Sequence, residues 1–132
     1  METSSIVLCD SNIIIDAMNG DEKVQAQLIE LAKSGVLISV ITEMEILKGA
    51  MNKEMLETFL KSLKGYHIIH IDEASSRKSV ELVRRYHLSH GLDIPDAMIA
   101  AIALNHDLEL YTRNLKDFRF IEGLRLYNPA NQ

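Results

Sequence analysis

Four acids stand where their carboxylates could act together: Asp10, Glu45, Asp96 and Asp117. Each lies just after an apolar run or at the beginning of a helical pattern. Carboxylates that gather in one place raise one another's pKa unless a cation is present. Oxygen-only ligand sets suit Mg²⁺ or Mn²⁺, and such an ion can activate a water and neutralise charge on a phosphodiester. If the fold brings these acids together, the expected chemistry is metal-assisted phosphodiester hydrolysis.

Strand and helix patterns alternate along the chain. Apolar runs predict strands at Ile6–Cys9, Val36–Ile41, His67–Ile71, Leu108–Tyr111 and Leu124–Tyr127. Helical spacing predicts helices near Ser11, around Val24–Leu31, at Glu43–Lys48, around Met55–Leu63, at Ala74–Ser89 and at Pro95–His106. This alternation predicts an α/β fold in which helices cover both faces of a mostly parallel sheet of about five strands.

The predicted topology places the acids at one edge of the sheet. Ligands of open α/β sheets bind outside the carboxyl ends of the strands, and Asp10, Glu45 and Asp117 follow strand ends. The Pro95–His106 helix runs back to feed the next strand, so Asp96 at its beginning should lie at the same edge. Four separate segments are therefore expected to deliver carboxylates to one rim.

Each of these acids also has a purely structural interpretation. Asp10 is a possible N-cap, and Thr42 with Glu45 matches a capping box, T-x-x-E. Asp96 can complement a helix dipole, and Asp117 can be a solvated loop charge. Individually the signals are weak, so the hypothesis depends on the joint placement of the four.

The remaining acids are interpreted structurally. Asp72 and Asp93 stand where helix N-caps are expected. Asp16, Asp21 and Glu22 are interpreted as surface or local turn residues. None of these five is predicted to take part in the chemistry.

Composition indicates one ordinary globular domain spanning residues 1–132, with 47% hydrophobic residues and a formal net charge of −5. That charge argues against a general phosphate-binding clamp, although residues 61–132 carry ten of the 14 basic residues. The longest apolar run, Ala97–Leu104, is too short to cross a bilayer, and no basic segment precedes the first apolar run. Cys9 has no partner for a disulfide. We therefore expect a reduced, cytoplasmic protein without a membrane segment.

Four segments resemble the PIN-domain family, in particular the VapC-type toxin ribonucleases of toxin–antitoxin pairs. They are LCDSNIIIDAM at 8–18, SVITEMEILKG at 39–49, LDIPDAMIAAIAL at 92–104 and LYTRNLKDF at 110–118. The resemblance implies a Rossmann-like three-layer sandwich and an Mg²⁺- or Mn²⁺-dependent endoribonuclease. It implies that an activated water attacks phosphorus and the 3′ oxygen leaves, which gives 5′-phosphate ends.

The resemblance also assigns roles to individual residues. The catalytic acids would be Asp10, Glu45, Asp96 and Asp117. Asp10 and Asp96 would be the main metal ligands, with Asp117 also contributing. Supporting polar residues would be Asn12, Thr112 and Asn114, and substrate phosphates could meet Arg113, Lys116 and Arg119. Asn114 occupies a position that is often acidic in relatives, which leaves the number of metal ions open.

Related toxins dimerise and accept an antitoxin segment, so the resemblance implies a homodimer, an antitoxin partner and an RNA substrate. The alternative is a catalytically weak PIN-fold binding module that acts through a complex with a DNA-binding antitoxin. Other phosphoryl-handling folds fit poorly. The sequence has no P-loop, it lacks the paired acids of a receiver domain, and Asn12 stands where D-x-D-x-T phosphatases need a second acid.

Overall fold

The computed structural model describes residues 6–129. Its strands are β1 (Val7–Cys9), β2 (Val36–Ser39), β3 (His67–Ile69) and β4 (Glu109–Tyr111). Its α-helices are α1 (Ser11–Met18), α2 (Glu22–Ala32), α3 (Val40–Lys48), α4 (Lys53–Leu63), α5 (Glu73–His90) and α6 (Ile94–Asn105). A single 3₁₀ turn, Leu115–Asp117, follows β4.

The four strands form one parallel sheet in the order β3-β2-β1-β4. Val7 of the central strand is paired with Val36 on one side and with Glu109 on the other. All three residues of β1 are buried, as expected for a strand covered on both faces. The predicted α/β architecture with a parallel sheet is confirmed.

Helices cover the two faces of the sheet and make three layers. Side chains alternate along a strand, so Leu8 packs into the core beneath α5 and α6, whereas Val7 and Cys9 pack into the core beneath α1, α2 and α4. In α6, six residues are buried, and all six are alanine or isoleucine. This helix therefore packs directly against the sheet and fixes the position of its own first turn.

Three strand predictions were wrong by more than one residue. The run at His67–Ile71 ends as a strand at Ile69. The run at Leu124–Tyr127 does not form a fifth strand, because it meets β4 only in an isolated parallel bridge between Leu110 and Leu126. The run Val36–Ile41 ends as a strand at Ser39, and α3 begins at Val40. An apolar run that passes from a strand directly into a buried helix carries no change of composition to mark the boundary.

The beginnings of α5 and α6 are capped by the residues that the sequence predicted as N-caps. The Asp72 side chain accepts a hydrogen bond from the Ser75 N–H at 2.8 Å, and the Asp93 side chain accepts one from the Ile94 N–H at 2.9 Å. Both N-cap predictions are confirmed. Within the described range, no helix is both long and apolar enough to cross a membrane.

Candidate active site

Asp10 lies at the carboxyl end of the central strand and is buried, with only 5% of its surface exposed. Its Oδ1 accepts a hydrogen bond from the Ser11 N–H at 2.8 Å, so it does cap α1. Its Oδ2 accepts bonds from the Thr112 hydroxyl at 2.9 Å and, more weakly, from the Asn12 side-chain amide at 3.4 Å. Burial raises the pKa of Asp10, these hydrogen bonds lower it, and the charge of Asp117 raises it again.

Asn12 and Thr112 join the loop after β1 to the loop after β4. The Asn12 amide donates to Thr112 Oγ1 at 3.3 Å, and Asn12 Oδ1 accepts the Arg113 N–H at 3.1 Å. Thr112 Oγ1 also accepts the Asn114 N–H at 3.0 Å. Both side chains are thus placed to orient Asp10, whereas Asn114 takes part in this network through its backbone.

Glu45 lies in the second turn of α3, and the predicted capping box is wrong. Ser39 is the N-cap of this helix, because its hydroxyl accepts the Thr42 N–H at 3.0 Å. Glu45 Oε1 is buried and has no hydrogen-bond partner among the described residues. Burial and the charge of Asp10 raise the pKa of Glu45, while the Ser11 hydroxyl and Lys48 lower it. A buried acceptor without a donor is costly, and a cation would satisfy it.

Asp96 lies in the first turn of α6 and is half-buried. Burial is the largest cause that raises its pKa to about 7, and the charges of Asp10, Asp117 and Glu45 follow in that order. Side chains from four segments therefore act on one another electrostatically. The structure brings together the four acids that the sequence singled out.

Asp117 ends the 3₁₀ turn and is exposed to solvent. The next residue, Phe118, is buried beside α6 and anchors this turn. Although it is exposed, Asp117 raises the pKa of both Asp10 and Asp96. Asp117 therefore lies within electrostatic range of both acids.

The basic residues after β4 differ in their surroundings. Arg113 Nε lies 3.3 Å from Asp16 Oδ2, and the Asp16 side chain is only 18% exposed. Interpreting Asp16 as a surface or turn residue was therefore wrong. Lys116 and Arg119 are exposed, and no acid of the described residues lies within ion-pair distance of either.

The donor set suits a hard divalent cation, because the four acids offer carboxylate oxygens. The unpartnered Glu45 Oε1 and the raised pKa of Asp96 both mark a place that lacks positive charge. As they stand, residues 6–129 contain no group of three or more His, Cys, Asp or Glu side chains set closely enough to hold an ion. Binding one would require these carboxyl groups to draw together around it.

Comparison with known proteins places this geometry in a family. A family model described as the PIN domain matches residues 7–123, which include all four acids. The chain belongs to the PIN-domain family. In this PIN domain the acids belong to four different segments: the N-cap of α1, the second turn of α3, the first turn of α6 and the 3₁₀ turn after β4.

Individual relatives agree with the match to the PIN domain. The chain is 31% identical over 123 residues to the ribonuclease VapC19 of Mycobacterium tuberculosis, covering 89% of this chain and 96% of that protein. A toxin–antitoxin complex from Klebsiella pneumoniae shares 35% identity at a TM-score of 0.72, with 89% and 94% covered. VapBC2 from Rickettsia felis, bound to a promoter DNA fragment, shares 30% identity at a TM-score of 0.80, with 93% and 98% covered.

Proposed function

We propose that this chain is a divalent-metal-dependent endoribonuclease and the toxin of a type II toxin–antitoxin pair. The observation that carries the proposal is the convergence of Asp10, Glu45, Asp96 and Asp117 from four segments at one edge of the sheet. The relative described as a ribonuclease and the neighbours described as toxin–antitoxin complexes support the biological role.

Asp10 and Asp96 are the main ligands for Mg²⁺ or Mn²⁺, with Asp117 completing the set. A bound ion supplies positive charge that offsets the carboxylates and the phosphodiester and that acidifies a water molecule. Hydrogen bonds from Thr112 and Asn12 hold the Asp10 carboxylate in one orientation. Glu45 or Asp117 would accept a proton from the attacking water as the water oxygen bonds to phosphorus. The bond from phosphorus to the 3′ oxygen would break and that oxygen would take up a proton from solvent, so the products would carry 5′-phosphate and 3′-hydroxyl ends.

RNA reaches the acids beside the basic residues that follow β4. Arg113, Lys116 and Arg119 are exposed next to Asp117, and they can contact phosphates on either side of the cleaved bond. Local positive charge at this point allows a polyanion to approach although the whole chain carries a net charge of −5.

The central test is cleavage of a defined RNA by the purified chain. We expect cleavage with Mn²⁺ or Mg²⁺, no cleavage with EDTA, and recovery when the ion is restored in excess. Asp10→Asn should remove activity and leave the protein folded, although it loses an acceptor for the hydrogen bonds from Thr112 or Ser11, and circular dichroism should confirm the native fold. Asp107→Asn is the matched control, because Asp107 lies after the far end of α6 and its positive φ of 55° suits asparagine.

Two results would overturn this function. Asp10→Asn protein that is purified free of contaminating nuclease and still cleaves RNA at the parental rate would show that Asp10 is not catalytic. A folded wild-type chain that binds a partner but cleaves no RNA with either ion would favour the binding module instead.

We also propose that two copies of the chain associate through α5 and α6. Val80 and Ile94 are apolar yet 60% and 63% exposed. They line a depression of about 360 Å³ whose other apolar walls include Ile71, Val83 and Met98. Large exposed apolar patches mark interaction sites. Light scattering should report a dimer for the wild type and a monomer for Val80→Glu.

The antitoxin is proposed to bind the opposite face, beside α2 and α4. Leu60 and Ile29 are 43% and 70% exposed there. Two depressions, of about 550 and 430 Å³, adjoin these residues and share Tyr66. If the neighbouring reading frame encodes a small DNA-binding protein, co-expression should yield a complex that Leu60→Asp weakens and Val80→Glu does not.

A further inference from the structure

We propose that Asp16 is a positioning residue that holds the Arg113 guanidinium ready for a substrate phosphate. This inference rests on the proposed ribonuclease function and adds a residue to it. Asp16 lies on α1, which begins at the active-site edge, and Arg113 lies in the loop after β4. The two segments are distant in sequence and meet beside the acidic site.

The position of Arg113 is fixed at two points. Its backbone N–H donates to Asn12 Oδ1 at 3.1 Å, and its Nε lies 3.3 Å from Asp16 Oδ2. Asn12 in turn donates to Asp10, so the arginine is tied to the network that orients a catalytic acid. The exposed fractions of the paired side chains are 61% for Arg113 and 18% for Asp16. Asp16 is thus the anchored partner, and the guanidinium projects toward solvent.

The geometry of the ion pair leaves Arg113 able to bind an anion. Asp16 contacts Nε, and no acceptor among the described residues pairs with the two terminal nitrogens. Guanidinium groups bind phosphate through two parallel N–H donors. A side chain that is already held loses less conformational freedom on binding, which improves the affinity.

Charge counting and positioning predict opposite results when Asp16 is removed. Asp16→Ala takes away one negative charge near a polyanion, so simple electrostatics predicts tighter RNA binding. Loss of positioning predicts weaker binding, because Arg113 then becomes disordered. The direction of the change therefore decides between the two without reference to its size.

The experiment measures KM, kcat and Tm for cleavage of a defined RNA by wild type, Asp16→Ala, Asp16→Asn and Arg113→Gln. We expect Asp16→Ala to raise KM about threefold, the size of a partly exposed ion pair, with little change in kcat. Asp16→Asn keeps an acceptor oxygen and should fall between wild type and Asp16→Ala. Arg113→Gln should raise KM about tenfold and reduce the salt dependence of log KM by about 0.7, as for one lost phosphate contact.

Two further variants separate positioning from other effects. Asp16→Ala should add nothing to KM in the Arg113→Gln background, because Asp16 acts through Arg113. Glu73→Ala is the matched control: it also removes an acid paired with arginine, Arg77, but on the exposed surface of α5. The Glu73→Ala substitution should leave KM unchanged or should lower it slightly.

The outcomes distinguish the role of Asp16 from the ribonuclease function. If the wild type cleaves RNA and Asp16→Ala has an unchanged or lower KM, the role of Asp16 is overturned and the ribonuclease function is retained. A wild type without RNA cleavage overturns both. Alanine is a better helix former than aspartate, so α1 should persist, and if Asp16→Ala nevertheless unfolds, Asp16→Asn decides by the same criterion.

Discussion

Replacing Asp96 with asparagine should stabilise the metal-free protein at neutral pH. Burial and the charges of Asp10, Asp117 and Glu45 raise the pKa of Asp96 from 3.8 to about 7. The folded state therefore binds a proton that the unfolded state releases between about pH 4 and 7. Stability falls as pH rises through that window, and the full penalty is present above it. Asparagine carries no charge and avoids the penalty.

The size of the effect follows from the pKa difference. The difference between a pKa of 3.8 and one of about 7 for Asp96 corresponds to a free energy of about 4 kcal/mol. Asp96 is only half-buried, so solvent screening reduces this, and we expect a gain of about 1–2 kcal/mol. For a chain of this length, the gain should appear as a rise in Tm of about 5 °C. It should shrink steadily as the pH is lowered toward 5.

The assay is thermal unfolding in EDTA at several pH values, repeated with Mn²⁺. Asp21→Asn is the matched control, because Asp21 caps α2, its charge is not among those that raise the pKa of Asp96, and asparagine caps a helix as well as aspartate does. Mn²⁺ should stabilise the wild type by mass action and Asp96→Asn much less. If Asp96 served only to complement the helix dipole, asparagine would instead lower Tm by a small amount. A lower Tm in EDTA at pH 8 would therefore refute the electrostatic reasoning.

Three substitutions away from the metal ligands test the framework of the site. Thr112→Val removes the donor to Asp10 and the acceptor for the Asn114 N–H. Urea unfolding should show a free energy of unfolding that is lower by about 1–3 kcal/mol, and Thr112→Ser should restore it. Phe118→Ala should lower the free energy of unfolding by about 3–5 kcal/mol, since this ring is buried. A decrease below 1 kcal/mol would contradict tight packing around Phe118. Gly91→Ala should lower stability by about 1 kcal/mol, because Gly91 ends α5 at a φ of +70°; an unchanged urea midpoint would contradict this.

Much of the fold followed from periodicity, because the buried strands and amphipathic helices have distinct apolar patterns. The boundaries between two consecutive buried elements could not be predicted from this periodicity. At Ser39 the chain passes from β2 into α3 within one apolar run, and the serine that caps the helix is itself buried. The segment around Leu126 has the composition of a strand, yet it meets β4 in one isolated bridge.

The acids of the site were predictable because strand ends of a parallel sheet share an edge. The ion pair between Asp16 and Arg113 was not, since nothing in the local sequence relates two residues on different elements. The same holds for the proximity of Ser11 to Glu45, which depends on how α3 packs against α1. Side-chain pairing across elements is set by packing, which a single sequence does not display.

The two principal acids reach the site in different electrostatic states. Asp10 receives hydrogen bonds from Ser11, Thr112 and Asn12, which orient its carboxylate, and those from Thr112 and Ser11 partly offset the rise in its pKa that burial causes. Asp96 accepts no hydrogen bond from the described residues, and the charges of its neighbours oppose its ionisation. Asp10 is thus fixed in place, whereas the charge on Asp96 must be balanced by something from outside the chain. A cation that binds both would relieve the repulsion, so folding without the ion stores free energy that ion binding recovers.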